Sequence, residues 1–115
     1  MKHNFKETPR CFSVKTHEVK DFGKIYLEEG EMVSFVTPSN KEYDFVAKEW
    51  GFYSTPSINS RLKKEGFKSA LVVNESNQLY VMTVEKDKIE FFLTYLKTNQ
   101  DNKLICWLDE WFQNN

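Results

Sequence analysis

The residues best suited to chemistry lie between positions 50 and 61, where aromatic side chains run directly into a polar segment. Trp50, Phe52 and Tyr53 supply flat rings, and hydroxyl, amide and guanidinium groups follow in Ser54, Thr55, Ser57, Asn59 and Arg61. The polar part predicts a helix over residues 56–65, with Thr55 as N-cap and Pro56 in the first helical position. A helix start offers unpaired N–H groups and a partial positive charge.

These groups together predict a site for an anionic small molecule, and a sugar phosphate or an acidic sugar fits them best. Trp50 and Tyr53 would stack on the apolar face of a sugar ring, while Arg61 offers a fork that matches phosphate or carboxylate. For this purpose Arg61 must point back toward the helix start. The alternative is an ordinary strand-to-helix junction, in which the rings belong to the core and the polar residues only cap the helix. The sequence leaves both interpretations open.

Other site chemistries find little support in the sequence, and no catalytic residue can be assigned. The serines lack a Gly-x-Ser-x-Gly context, and the four glycines form no phosphate-binding loop. Cysteine and histidine spacings typical of zinc are missing, so we expect neither a metal nor a cofactor. An acid–base pair assembled from distant residues would leave no local motif, so an enzyme stays open as an alternative.

Composition indicates one domain over residues 1–115, with a core supplied by aromatic side chains. Of the 115 residues, 40% are hydrophobic and 16% aromatic, and the formal net charge is −1. This charge balance disfavours a nucleic-acid partner. The two cysteines, Cys11 and Cys106, suit a reducing compartment, and whether they lie close together is left open. With neither an apolar signal region nor an apolar run of membrane-spanning length, the expected location is the cytoplasm, without membrane association.

Hydrophobic periodicity predicts an α+β fold, a largely antiparallel sheet with two helices packed on it. The first half reads as a meander of strands at residues 12–16, 24–27, 32–36 and 42–47, with a turn at 21–23. A hairpin follows at 69–73 and 79–84, and its second strand is apolar enough to predict a central position. A second helix is predicted over 88–98, with Asp87 and Glu90 as a capping box.

The last residues carry large apolar side chains and are open to two interpretations. Residues 104–108 predict either a closing strand or the start of a short helix that continues through Trp111 and Phe112. Trp107, Trp111 and Phe112 would then either seal the core or form a homodimer surface. Burial of both indoles would favour the core, whereas exposure would favour dimerisation.

The run from Trp50 to Leu62, continued by residues 66–72, resembles a group of small uncharacterised bacterial proteins. That group is associated with gene clusters for surface polysaccharides and nonulosonate sugars. The resemblance covers about the middle third of the chain and implies no catalytic residue. It favours a sugar or sugar phosphate as ligand. Two functions follow as expectations: a small binding or accessory module, or alternatively a small enzyme acting on a sugar or sugar phosphate in surface-polysaccharide biosynthesis.

Overall fold

The computed structural model describes residues 1–14, 17–99 and 101–112, which form an α+β fold with antiparallel strand pairing in three small sheets. The elements in chain order are β1 (Lys2–Val14), β2 (His17–Tyr26), β3 (Met32–Val36), β4 (Glu42–Lys48), β5 (Gly51–Ser54), α1 (Arg61–Lys64), β6 (Phe67–Val73), β7 (Leu79–Glu85), α2 (Ile89–Asn99), β8 (Lys103–Trp107) and α3 (Leu108–Trp111). A 3₁₀ turn, Lys86–Lys88, precedes α2.

The first two strands form a long hairpin, here called the arm (residues 1–26). Lys2 pairs with Tyr26 at its base and Val14 with His17 at its far end. The predicted turn at residues 21–23 is wrong, because these residues lie inside β2 and the predicted strand 24–27 is mostly the end of the same strand. The arm also forms a sheet of its own, so the predicted N-terminal meander is divided. Positions 15 and 16 of the predicted first strand lie outside the described residues.

The meander proper consists of β3, β4 and β5, whose first two strands confirm the predictions at residues 32–36 and 42–47. Cross-strand pairs show how its two faces differ. Val46 lies opposite Tyr53 and Ala47 lies opposite Phe52. Since successive strand residues point to opposite faces, Tyr53 and Phe52 lie on different sides of this sheet.

The third sheet has the strand order β7–β6–β8 and carries the core. The hairpin at residues 69–73 and 79–84 is confirmed, but the predicted central position of its second strand is wrong. Strand β6 is central because β8 returns along its other edge, where Ala70 pairs with Trp107. Ala70 and Val72 of β6 are fully buried, whereas Leu79 and Val81 of β7 are exposed. An apolar run alone did not distinguish an edge strand from a central one.

The long helix α2 packs on this sheet and confirms the helix predicted over residues 88–98. Leu96 is buried against Ala70 and Val72, and Phe92 lies partly buried beside it. The predicted capping box is not formed. Asp87 instead lies in the 3₁₀ turn, where its carboxylate pairs with Lys41 Nζ at 3.2 Å.

The first predicted helix is much shorter than expected. Residues 56–60 form bends and turns, and only Arg61–Lys64 are helical. Thr55 is therefore not an N-cap, and Ser60 holds the position before the helix without a capping side-chain bond. Pro56 and Leu62 are fully buried and anchor the segment. Within the part of the chain that the structure describes, three α-helices are present, two of them four residues long, in place of the two predicted helices.

Candidate functional site

Two exposed aromatic rings form the most distinctive surface of the predicted site. Trp50 lies in the turn between β4 and β5, and Tyr53 lies within β5. Their rings stack with centroids 5.8 Å apart and planes inclined by 18°. Trp50 is nevertheless 71% exposed and Tyr53 45% exposed. We call this pair the aromatic platform; it is a flat apolar surface open to solvent.

The Arg61 guanidinium points back toward the start of the predicted helix, as the predicted site requires. Its Nη2 donates a hydrogen bond to Thr55 Oγ1 at 3.1 Å, so the guanidinium points back along the chain. Its Nη1 lies 3.9 Å from a carboxylate oxygen of Asp44 and 3.8 Å from one of Glu65. These carboxylates orient the guanidinium, but they also compete with an anionic ligand for it.

The platform and the guanidinium lie on the same side of the meander. The Thr55 N–H donates to the Asp44 carbonyl at 2.9 Å, which extends the β4–β5 ladder by one residue. Residues two apart in a strand point to the same face, so the Thr55 side chain lies on the same face as that of Tyr53. Asp44 shares that face with Val46, and its carboxylate accepts a hydrogen bond from Ser34 at 2.5 Å. Asp44 was not predicted as a site residue, because its only sequence signal was an acid between two aromatic residues.

Phe52, the third aromatic residue of the segment, is not part of this surface. Its side chain lies on the opposite side of the meander, where an open apolar groove of about 340 Å³ is present. The groove is lined by Ile25, Leu27, Val33, Phe35, Phe45 and Phe52. Because strand side chains alternate, β5 contributes one ring to each side.

The first two backbone N–H groups of the short helix α1 are occupied. Ser57 Oγ accepts the Arg61 N–H at 3.1 Å, and the Ser57 carbonyl accepts the Leu62 N–H at 2.9 Å. With only one helical turn, the aligned dipoles that favour an anion are also few. Asn59 is exposed in the turn and Ser54 is partly buried in β5. The aromatic platform, Thr55 and Arg61 are thus the groups best placed to meet a ligand.

A buried ion pair joins the tail to the central strand. Lys68 Nζ donates to Asp109 Oδ2 at 2.9 Å, and the Ser69 N–H donates to Asp109 Oδ1 at 3.1 Å. Burial by itself would raise the pKa of Asp109, but the hydrogen bonds from Lys68 and Ser69 outweigh it and the pKa is lowered. Lys68 Nζ also lies 4.9 Å from the centre of the Trp107 ring. These contacts stabilise the fold.

A second polar cluster joins the meander to the end of β7. The Glu85 carboxylate accepts a hydrogen bond from Ser39 and pairs with Lys88 at 3.2 Å and Lys41 at 3.6 Å. The Ser39 bond, together with the two lysines, lowers the pKa of Glu85 to about 2 against the opposing effect of burial. The cluster thus connects the turn between β3 and β4 with the end of β7.

The tail combines both predicted structures, since β8 is a strand and α3 a single helical turn. Trp107 packs beside Phe92, with ring centroids 5.8 Å apart, and borders the core. Trp111 and Phe112 are 71% and 62% exposed. Of the three residues predicted as a dimer surface, two are therefore accessible and one is largely used in the fold.

Several simple properties of the described residues limit the chemistry. Both cysteines are free, Cys11 exposed on the arm and Cys106 partly buried in β8. Within residues 1–14, 17–99 and 101–112, no three His, Cys, Asp or Glu side chains converge as a metal site would need. In the same part of the chain, no helix is both long and apolar enough to cross a bilayer.

The chain matches no protein-family model, and it has no match among curated proteins or solved structures.

Proposed function

We propose that this protein is a small binding or accessory module for an acidic sugar or a sugar phosphate, held at the aromatic platform. The single observation that carries the proposal is the exposed stack of Trp50 and Tyr53 on the side of the meander where Arg61 is anchored to Thr55. Aromatic faces bind the C–H surface of a sugar ring, and a guanidinium binds its anionic substituent.

The proposal also concerns the setting in which the module works. The resemblance of residues 50–62 to bacterial proteins associated with surface-polysaccharide genes supports a sugar ligand. Two free cysteines suit a reducing compartment, so we propose a cytoplasmic location. The formal net charge is −1, and Lys68 is paired with the buried carboxylate of Asp109. This supports a small-molecule partner over a nucleic acid.

Titration of the full-length protein with a panel of neutral sugars, acidic sugars and sugar phosphates tests the proposal. Amide shifts of residues 50–61 and tryptophan fluorescence would be followed to millimolar ligand. We expect Trp50→Ala to weaken binding about tenfold, which is a typical loss for one stacked ring. Trp111→Ala is a matched control, because Trp111 is as exposed as Trp50, at 71%, but lies on α3. The control should leave affinity unchanged.

Arg61 provides a test of ligand charge. We expect Arg61→Ala to reduce affinity for acidic sugars and sugar phosphates but not for their neutral counterparts, because only the former engage the guanidinium. If amides 54–59 stay still at millimolar ligand and Arg61→Ala alters no shift elsewhere, the segment is only a structured turn and the proposal is wrong. Conversion of any panel member to product would instead support the alternative, a small enzyme acting on sugars.

A further inference from the structure

The arm exposes more apolar surface than a two-stranded hairpin can carry alone. Almost every arm side chain is at least partly open to solvent. The exposed large apolar residues of its strands are Phe5, Phe12, Val19, Phe22, Ile25 and Tyr26. An isolated two-stranded hairpin is marginally stable in water, and stability requires packing against another element. The arm makes few contacts with the other described elements.

A second exposed apolar surface lies on the meander, in the groove opposite the aromatic platform. Phe52 is 64% exposed and Phe35 55% exposed, although both project from regular strands. The chain's own arm reaches this groove only through residues at its base, Ile25 and the following Leu27. The far end of the arm lies elsewhere, because His17 contacts Tyr95 of α2 with ring centroids 5.1 Å apart. The groove is therefore not covered by its own arm.

The chain exposes more surface than a compact protein of its mass, and the excess is about the area that one subunit buries in a stable dimer. A compact protein of 13.7 kDa has an accessible surface of about 6,600 Å², whereas this chain exposes 8657 Å². Its radius of gyration is 15.9 Å, compared with about 13 Å for a compact chain of this length. The excess is about 2,000 Å² per chain, within the roughly 1,000–2,500 Å² that each subunit of an obligate homodimer buries.

The segments that contribute the two surfaces differ in net charge. Residues 1–26 contain six Lys or Arg and three Asp or Glu, whereas residues 27–54 contain two and six. The arm thus has a balance of +3 and the meander segment one of −4. Two copies related by a twofold axis would place the basic arm of each on the acidic meander of the other. An isologous contact of this kind uses both surfaces twice and closes on itself.

We propose that two copies of this chain form a reciprocal dimer, in which the arm of each copy covers the apolar groove on the meander of the other. The partner is a second copy because an exposed apolar arm and an exposed apolar groove, on segments of opposite net charge, are present on one chain. The aromatic platform lies on the opposite side of the meander and stays accessible in such a dimer. The proposal is independent of the sugar-binding function and is tested by different measurements.

Mass measurement in solution, by light scattering or sedimentation from about 1 to 100 μM, gives the first test. We expect the wild-type chain to be a dimer. Phe12→Ser on the arm and Phe52→Ser in the groove should each weaken it about 100-fold, because each substitution removes two apolar contacts per dimer. Phe91→Ser is the matched control: this phenylalanine is 78% exposed on α2, outside both surfaces, and its replacement should leave the mass unchanged.

Mixing the two variants distinguishes arm exchange from every other homodimer. A mixed dimer contains one intact contact, formed by the wild-type arm of the groove variant and the wild-type groove of the arm variant. We therefore expect an isotope-labelled mixture to show mixed dimers by native mass spectrometry at concentrations where each variant alone is monomeric. Hydrogen exchange of the wild-type protein on dilution, with protection lost in residues 2–14 and 42–54, gives the same answer without any substitution.

A wild-type monomer at 100 μM would overturn the proposal. So would a dimer that withstands Phe12→Ser and Phe52→Ser but dissociates on Trp111→Ser, because that result would assign the contact to the exposed tail residues Trp111 and Phe112. Mixed dimers no more abundant than either parent dimer would also overturn it, since reciprocal arm exchange requires complementation.

Discussion

Replacement of Asp109 by alanine should destabilise the fold strongly, although the residue lies near the end of the described chain. Its side chain has no exposed surface and accepts hydrogen bonds from Lys68 Nζ and the Ser69 N–H. Loss of the charge-assisted bond costs about 1.5–3 kcal/mol, and a buried N–H left unpaired costs about 1–3 kcal/mol. Lys68 can retain Glu110, at 3.3 Å, so we expect a loss of about 3–4 kcal/mol in the free energy of unfolding.

Urea denaturation followed by tryptophan fluorescence measures this change at fixed protein concentration. Glu110→Ala is the matched control, because Glu110 is the half-exposed partner of the same lysine and should cost less than about 1 kcal/mol. Asp109→Asn keeps an oxygen for the Ser69 N–H and should fall between the two. A loss below about 1 kcal/mol for Asp109→Ala would refute the reasoning, since the buried contacts would then have no energetic weight.

The pH dependence of stability gives an independent measure of Asp109. Its pKa is lowered in the folded protein, so the folded state holds the charged form more tightly than the unfolded state does. The resulting stabilisation is fully present above the unfolded pKa of about 4 and is lost as the pH falls through the lower, folded value. Asp109→Asn should therefore flatten the acid limb of the stability curve.

Two further predictions concern the arm and the connection between sheets. Gly23→Ala should lower the free energy needed to open the arm by at least about 2 kcal/mol, because Gly23 has φ +136° and a Cβ there would lie 1.9 Å from the Asn4 carbonyl oxygen. Hydrogen exchange at the β1 amides measures this change. Gly30→Ala, at a site with no atom within 4 Å, should cost only about 1 kcal/mol. Glu85 has its pKa lowered to about 2, so its stabilisation is present above about pH 4.5 and is lost toward pH 2. Glu85→Gln should remove that part of the pH dependence. A stability curve whose acid limb is unchanged in the variant would contradict this prediction.

Strands β3, β4, β6 and β7 and the long helix were predictable from the sequence because their signals are local, whereas the extent of the arm strands and the presence of β5 were not. The spacing of Phe92 and Leu96 marks one face of α2, and both pack on the third sheet as expected. The helix at residues 56–65 was not predictable from its capping residues. Ser57 turns the chain through its carbonyl and hydroxyl, and burial of Pro56 and Leu62 holds the turn. Tertiary packing therefore decided between two locally acceptable backbones.

The candidate site was predictable only in part, for a similar reason. The aromatic and polar residues near position 50 were visible, and Arg61 does point toward Thr55. Phe52 and Tyr53 are separated because β5 is a strand, and the register of β5 decides which of the two faces the groove, since a shift of one residue would exchange their faces. The contact of Arg61 with Asp44 joins residues 17 positions apart, and no local pattern identifies such a pair. Strand register and long-range charge pairing thus limit how much of the candidate site can be predicted from the sequence.

The central position of β6 also sets the order in which the chain can fold during synthesis. The arm, the meander and the β6–β7 hairpin join neighbouring segments and can form as soon as they leave the ribosome. One edge of β6 stays open until Trp107 pairs with Ala70 and Asp109 meets the Ser69 N–H. A nascent chain halted before residue 103 would present that apolar edge to other chains. The last tenth of the chain thus closes a core whose other strands were made much earlier.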